Sequence, residues 1–334
     1  MKFDIIIGNP PYQEMTGGGK NGGSVIYHKF IEASITLSDN VCMIVKNNWM
    51  NSGSLKDTRN KMIEYGLRTV VNYSLLGDAF PGMGIAASII YIDGDNKNKG
   101  YINYTEIVKN EIVEKYTSTL EKMKKLRYIP TSEMEINIVD KVVSLTENYF
   151  GDCVILSPFG INTNGKISNG EYIDQSEIET DDYNIAIKYI DDVKYTTREN
   201  INKNVDKIDK YKVICPKQIH KTNNPIPSVY GLMPGQICSA SFSSMFYSDN
   251  KEEAYNVYKY IKTKFFRYLV HCLSDSLCGM SSYRTSLVPN QRFVGNSDIN
   301  WSEDISNIDK QLYKKYKLNQ DEINYIESTI KQMN

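Results

Sequence analysis

The residues best suited to chemistry stand near the start of the chain. An apolar run, residues 3–7 (FDIII), leads through Gly8 into Asn9, Pro10, Pro11 and Tyr12. Two successive prolines fix φ and carry no N–H, so they stiffen the backbone and leave the Pro10 carbonyl free to accept a hydrogen bond. The side-chain oxygen of Asn9 is a second acceptor. Two acceptors side by side suit an NH₂ group, and the Tyr12 ring offers a flat face to a planar group that carries it. Drawing both hydrogens into bonds moves the nitrogen toward a tetrahedral, nucleophilic shape, so no general base need act before attack. The bland reading of these residues is a chain-breaking turn; their place directly after a strand weighs against it.

The elements around this segment must hold it at a strand end, where open parallel sheets bind their ligands. Residues 3–7 read as a short parallel strand buried on both faces. Residues 15–24 are polar and glycine-rich and read as a loop. Over residues 25–37, Ile26, Phe30, Ile31, Ala33 and Ile35 recur at helical spacing. A second buried strand is expected over 41–45, a helix over 55–65, strands over 70–76 and 86–92, and a turn over 93–99. The pattern β-α-β-α-β-β predicts a doubly wound α/β sheet closed by a hairpin. Past residue 100 the texture changes: charged helical pieces are expected near 120–126 and 134–145. A loop-rich mixed stretch then precedes a charged helical end over 303–334. No internal repeat is present.

The length of 334 residues fits two domains, and a hydrophobic content of 41% is enough for real cores. A formal net charge of −1 excludes a uniformly basic nucleic-acid coat, so any such surface must be local. The six cysteines form no CxxC pair, which favours reduced thiols in a cytoplasmic protein over a zinc site. No signal peptide is read, and no apolar run approaches the roughly 18 residues of a membrane span.

FDIIIGNPPYQ resembles the catalytic motif of the amino-methyltransferases that methylate N6 of adenine in DNA with S-adenosylmethionine. These are methylases of type II restriction–modification systems. The likeness continues in order. YHKFIEAS (27–34) is similar to the helix whose Phe, here Phe30, lies near the methionine cofactor. VCMIVKNNWMNSG (41–53) is similar to a strand that ends in Pro in the family and in Lys46 here. LLGDAFPGMGIAASIIYI (75–92) is similar to the motif whose aromatic residue, here Phe80, stacks on the target base; Met83 stands where some relatives carry lysine. SPFGINTNG (157–165) and YKKYKLNQDEINYIE (313–327) resemble segments of methylases with a C-terminal recognition domain. The likeness implies a flipped-out adenine between Tyr12 and Phe80, N6 held by Asn9 and Pro10, cofactor contacts from Phe30 and Asn9, and no metal. It also implies a partial Rossmann-like sheet, strands four to seven, in a catalytic half over 1–125. A mixed α+β target-recognition domain would cover 126–334. Asn-Pro-Pro-Tyr also occurs in methyltransferases of RNA and of protein glutamine, and a non-catalytic DNA-specificity subunit remains a third reading.

The glycine-rich cofactor turn of such enzymes has no copy that the sequence reveals. The expectation is therefore a split enzyme, in which a second protein subunit supplies the missing strands and most of the cofactor pocket. The strand over residues 3–7 would otherwise show a bare edge. Two segments mix cations with polar and aromatic residues, 194–221 and 281–293, and suit contacts to double-stranded DNA. From them Lys217, His220, Lys221, Arg284 and Arg292 are the candidate DNA-binding residues, ordinary solvated cations being the alternative for each. No nuclease spacing is read.

Overall fold

The computed structural model describes residues 2–14, 24–96, 100–163, 173–174, 184–219, 221–274 and 278–333. The loop read over 15–24 falls outside them except for Ser24, as do His220 and parts of the stretches 93–99 and 157–165. The chain divides into two compact units, Met1–Asp140 and Lys141–Asn334.

In the first unit the strands and helices alternate as the hydrophobic pattern requires. They are β1 (Ile6–Gly8), β2 (Gln13–Glu14), β3 (Ser24–Val25), α1 (Tyr27–Leu37), β4 (Asn40–Lys46), α2 (Lys56–Glu64), β5 (Leu67–Tyr73) and β6 (Ala87–Asp93). Then follow β7 (Tyr101–Val108), β8 (Glu111–Thr119), α3 (Leu120–Leu126) and α4 (Glu133–Ser144), whose last turn belongs to the second unit. Six strands form one sheet in the order β1-β4-β6-β5-β7-β8. β4 lies parallel to β1, and β5 lies parallel to β7. β6 is inserted between β4 and β5 and runs antiparallel to both. Along β4 the residues Val41, Met43 and Val45 are buried while Cys42 and Ile44 are half-buried, the period of two that a pleated strand imposes. In α1 the buried positions are Tyr27, Ile31, Ser34 and Ile35, one stripe of a 3.6-residue helix. α2 ends at Gly66, whose φ of +93° is the left-handed conformation a side chain resists.

One expectation is corrected here, and one exposed residue is noted. β1 is shorter than the run over 3–7 and is not buried on both faces: Phe3, Ile5 and Ile7 are 49%, 50% and 74% exposed. The reason is its position, for β1 is the marginal strand of the sheet with a single neighbour. Phe30 does not join the core of α1. It lies about a third of a turn from the buried stripe and is 44% exposed.

The second unit contains two four-stranded sheets. One has the order β10-β12-β11-β16, made of Ile173–Asp174, Val193–Thr196, Ile185–Lys188 and Gln236–Cys238. The other has the order β15-β13-β17-β9, made of Tyr230–Leu232, Tyr211–Pro216, Phe242–Ser248 and Ile155–Leu156. Ile185, Ile187, Ile214, Ile237 and Phe242 share the core between them. A short ribbon pairs β14 (Gln218–Ile219) with β18 (Cys278–Gly279). Four helices complete the unit: α5 (Lys251–Lys262), α6 (Lys264–Cys272), α7 (Ile305–Lys315) and α8 (Gln320–Thr329). The ring of Tyr260 lies 5.1–6.2 Å from those of Phe150, Phe266, Phe293 and Trp301, in edge or tilted contacts that favour the ring quadrupoles. No helix among the described residues is long and apolar enough to cross a membrane.

The charged C-terminal stretch is helical because its ends are capped. Asn319 accepts from the Glu322 backbone N–H at 2.9 Å, and its own N–H donates to the Glu322 carboxylate at 2.8 Å. Glu322 also pairs with Lys141 at 2.7 Å. Replacing Asn319 by Ala is expected to cost about 0.5–2 kcal/mol in urea denaturation. A midpoint and slope equal to the unmodified chain's would exclude the capping box as a source of stability.

Candidate active site

Strand register decides where the functional loops meet. Gly8 stands opposite Met43, Lys46 opposite Ala87, and Tyr73 opposite the same Ala87. The C-terminal ends of β1, β4 and β5 therefore share one end of the sheet with the start of β6. Residues 9–12, 47–52 and 74–86 all leave from that end. It is the end at which open α/β sheets bind ligands.

The tetrapeptide is held from below and left open above. Pro10 is buried, Asn9 and Pro11 are exposed, and Tyr12 is half-buried. β2 and β3 pair Gln13 with Val25 and Glu14 with Ser24, and the Ile26 N–H donates to the Tyr12 carbonyl at 3.2 Å. The Tyr12 ring meets the Tyr27 ring edge-on at 6.2 Å and 79°. Tyr27 is fully buried, and its hydroxyl donates to Asn48 Oδ1 at 2.6 Å. The Tyr12 hydroxyl is shielded from water and without a hydrogen-bond partner, and burial pushes its phenol up from the ordinary tyrosine value. Among the described residues neither the Asn9 side chain nor the Pro10 carbonyl has a partner. The two acceptors that an amine clamp requires are thus both open.

The loop after β4 is fixed by buried polar groups that the sequence reading did not single out. Asn47 donates to Asn72 Oδ1 at 3.1 Å, and Asn72 donates to the Glu106 carboxylate at 2.9 Å. The Tyr104 hydroxyl donates to the same carboxylate. Tyr104 stacks on Tyr116 at 4.8 Å, and burial together with the Glu106 charge pushes its phenol well above the ordinary value. Asn72 and Glu106 are cross-strand neighbours in register. Each interrupts an apolar strand, and those interruptions (VVNY and YTEIV) are the signal that could have found them. The Asn47 N–H also donates to the Ala86 carbonyl at 3.3 Å. Trp49, fully buried, donates to Ser88 Oγ at 2.9 Å, which settles it as a packing residue. Arg59 donates to the Trp49 and Ser52 carbonyls at 2.7 and 3.1 Å. Lys46, where the resemblance expects proline, has φ −61°, within the range a proline ring imposes.

Phe80 stands half-buried at the head of a tight turn, Phe80-Pro81-Gly82-Met83, with the Met83 N–H donating to the Phe80 carbonyl at 3.0 Å. Pro at the second position and Gly82 at φ +81° at the third are the requirements of a type II turn. The loop is tied to the β7–β8 hairpin, where the Lys109 N–H donates to Asp78 Oδ2 at 2.5 Å. Phe80 and Tyr12 make no ring contact with each other. Phe30 lies on the outer face of α1 with Ala33 and Leu37. The Phe3 N–H donates to the Leu37 carbonyl at 2.8 Å, so that face continues into the margin of β1.

Of the candidate DNA-binding residues, Lys217 lies beside Met280, the residue before the segment 281–293. The Met280 N–H donates to the Lys217 carbonyl at 2.7 Å beside the β14–β18 ribbon. Lys217 Nζ lies 3.3 Å from Ser157 Oγ, and Lys221 is half-buried. Arg292 is exposed, with Nη1 3.4 Å from the Asn296 carbonyl. Arg284 does not fit the expectation. It is 6% exposed and lies 5.7 Å from the centre of the Tyr283 ring, built into the unit rather than presented on a surface. Its sequence neighbours are polar, and only the packing of the turn reveals its burial.

The first unit thus gathers the Asn-Pro-Pro-Tyr loop and the Phe80 turn at one end of an α/β sheet. Comparison with known proteins bears on this part of the chain: residues 1–79 match the family described as "Eco57I restriction-modification methylase". A curated relative from Mycoplasma pneumoniae, described as an uncharacterized adenine-specific methylase, is 33% identical over 108 residues. The match covers 30% of this chain and 25% of that relative, so the chain spans about a quarter of the length of the relative it matches. Among solved structures, the type IIL restriction-modification enzyme MmeI in complex with DNA aligns over 98% of this chain and 56% of its own at 8% identity and TM-score 0.49. A nuclease-deletion mutant of the type ISP enzyme LlaGI, with a DNA substrate mimic, aligns over 84% and 33% at 13% identity and TM-score 0.40.

The buried Asn47–Asn72–Glu106 chain makes a coupled set. Asn72→Leu leaves the Glu106 carboxylate short of a donor in the interior, at a cost of about 1–3 kcal/mol. Adding Glu106→Leu to that variant is expected to recover part of the loss, a non-additivity that a double-mutant cycle by urea denaturation measures. Strict additivity would show that the three residues do not act together.

Proposed function

We propose that the chain carries the catalytic and DNA-recognition part of an adenine-specific DNA methyltransferase of a restriction–modification system. The observation that carries this reading is the pair of open acceptors, Asn9 Oδ1 and the Pro10 carbonyl, beside the Tyr12 ring at the functional end of the sheet. In this reading they accept the two N6 hydrogens of an adenine turned out of the duplex. The base lies between Tyr12 and Phe80, which are free of each other. Stacking on aromatic side chains contributes about 1–3 kcal/mol per base. Flipping costs a few kcal/mol. The rings thus offset much of that cost, and contacts to phosphate supply the rest. Lys217, Lys221 and Arg292 in the second unit are the groups for that role, with His220 from outside the described residues.

S-Adenosylmethionine, when bound, supplies an electrophilic methyl group whose sulfonium sulfur keeps the C–S electron pair as the N–C bond forms. Asn9 and the exposed ring of Phe30 fit its methionine end. Asn9 and Pro10 hold N6 in line, and the nitrogen sheds its extra proton to water. Most of a cofactor pocket needs more protein than these residues. Among the described residues β1 has one strand neighbour, and Phe3, Ile5 and Ile7 on it and Phe30 and Leu37 on α1 are exposed apolar side chains. An additional strand and helix, carried by a second subunit, would cover them and complete the pocket.

The test is transfer of labelled methyl groups to DNA, with and without any polypeptide that co-purifies. Asn9→Ala is expected to lower the rate by about two orders of magnitude or more while DNA binding persists. Phe80→Ala is expected to weaken the signal of a fluorescent adenine analogue turned out of the duplex. Methyl transfer that survives Asn9→Ala would leave a DNA-specificity role instead. Tight S-adenosylmethionine binding by the chain alone would remove the need for a second subunit.

A further inference from the structure

The second unit contains a cavity of about 690 Å³ that the methyl-transfer reading does not use. Its size falls in the range of small-molecule sites, roughly 300–1,000 Å³. Two strand margins and one helix build it. β15 is the last strand of its sheet and β16 the last of the other. On β11, Ala186 and Lys188 alternate with the core residues Ile185 and Ile187 and turn toward the cavity. Lys251, Ala254, Tyr255 and Tyr258 of α5 recur at helical spacing and line the opposite side.

The lining is chemically one-sided. Among the described residues it includes Lys188, Lys212 and Lys251 and the rings of Tyr211, Tyr230, Tyr255 and Tyr258, and no carboxylate. Lys188 Nζ lies 4.6 Å from the centre of the Tyr230 ring, and among the described residues neither Lys188 nor Lys251 forms an ion pair. The rings of Tyr255 and Tyr258 are nearly parallel, at 11° and 6.0 Å, and Tyr255 is 56% exposed. Lys212 is 1% exposed, and its ammonium donates to the carbonyls of Ile208 and Lys210 at 2.7 and 2.6 Å. No carboxylate hydrogen-bonds it. Burial lowers its pKa to about 8. A third carbonyl, that of Met233, accepts from it at 3.4 Å, and the Asp209 carboxylate acts on it electrostatically, so Lys212 is committed to the protein and Lys188 and Lys251 are the cations left for a ligand. Flat π-faces next to unpaired cations select a ligand that is both aromatic and anionic.

We infer that this cavity binds one nucleotide unit, its base against the Tyr230 and Tyr255–Tyr258 rings and its phosphate toward Lys188 and Lys251. The site lies wholly within the second unit and does not depend on the methyl-transfer reading. Calorimetric titration of the full chain with adenosine monophosphate, adenosine, inorganic phosphate and a short single-stranded oligodeoxynucleotide tests it. Saturable binding of the monophosphate is expected, tighter than that of adenosine or phosphate alone. Lys188→Gln and the surface change Lys251→Gln should each weaken it by about tenfold, the loss of one charge-assisted contact. Tyr255→Ala should weaken adenosine and monophosphate alike. An oligonucleotide that binds far more tightly than the monophosphate identifies the ligand as a nucleotide of a DNA strand; the reverse order identifies a free nucleotide. Absence of saturable binding by both, or binding that all three variants leave unchanged, overturns the inference.

Discussion

The candidate site exists because β6 enters the sheet antiparallel between β4 and β5. Had it run the other way, its preceding loop would have opened at the far end of the sheet. Instead one residue, Ala87, faces both Lys46 and Tyr73, and the segments around Asn9, Asn47 and Phe80 are forced into one neighbourhood. Hydrogen bonding between strands thereby does the positioning that no local sequence preference could. The clamp loop, the support loop and the aromatic turn are far apart in the chain and depend on that register to meet.

What steadies the loops is a set of polar groups in an otherwise apolar interior. Tyr27 links the helix under Tyr12 to Asn48, and Asn47 continues through Asn72 to Glu106 on the next strand. Buried polar groups of this kind are costly when unpaired and specific when paired. They rigidify the floor of the site and leave its upper surface, the Asn9 amide and the Pro10 carbonyl, without internal partners. Support beneath and acceptors without internal partners above are what the proposed binding role of this loop requires.

Much of the first unit was legible in the sequence. The alternation of strand and helix to residue 93 follows from hydrophobic period, and Asn-Pro-Pro-Tyr announces itself by residue type. The burial of β1 was misread because the composition of FDIII specifies an apolar strand but not whether neighbours flank it. Phe30 recurs with the apolar residues of its helix in the sequence, and only its angular distance from Tyr27, Ile31 and Ile35 tells that it stays exposed. Asn72 and Glu106 were passed over because their partnership spans 34 residues and exists only through strand pairing. In the second unit the cation-rich segments were visible, yet not that Arg284 would be interior or that Lys188, Lys251 and four tyrosines would surround one cavity.

The φ of −61° at Lys46 carries a lesson about how such sites change over time. The main-chain path there is one that proline would enforce, but lysine follows it, with the neighbouring strand and the half-buried Asn47 bonded on either side. Tertiary context has taken over a job that a cyclic side chain does covalently. A search that demands proline at this position would pass over a chain whose backbone has the same φ.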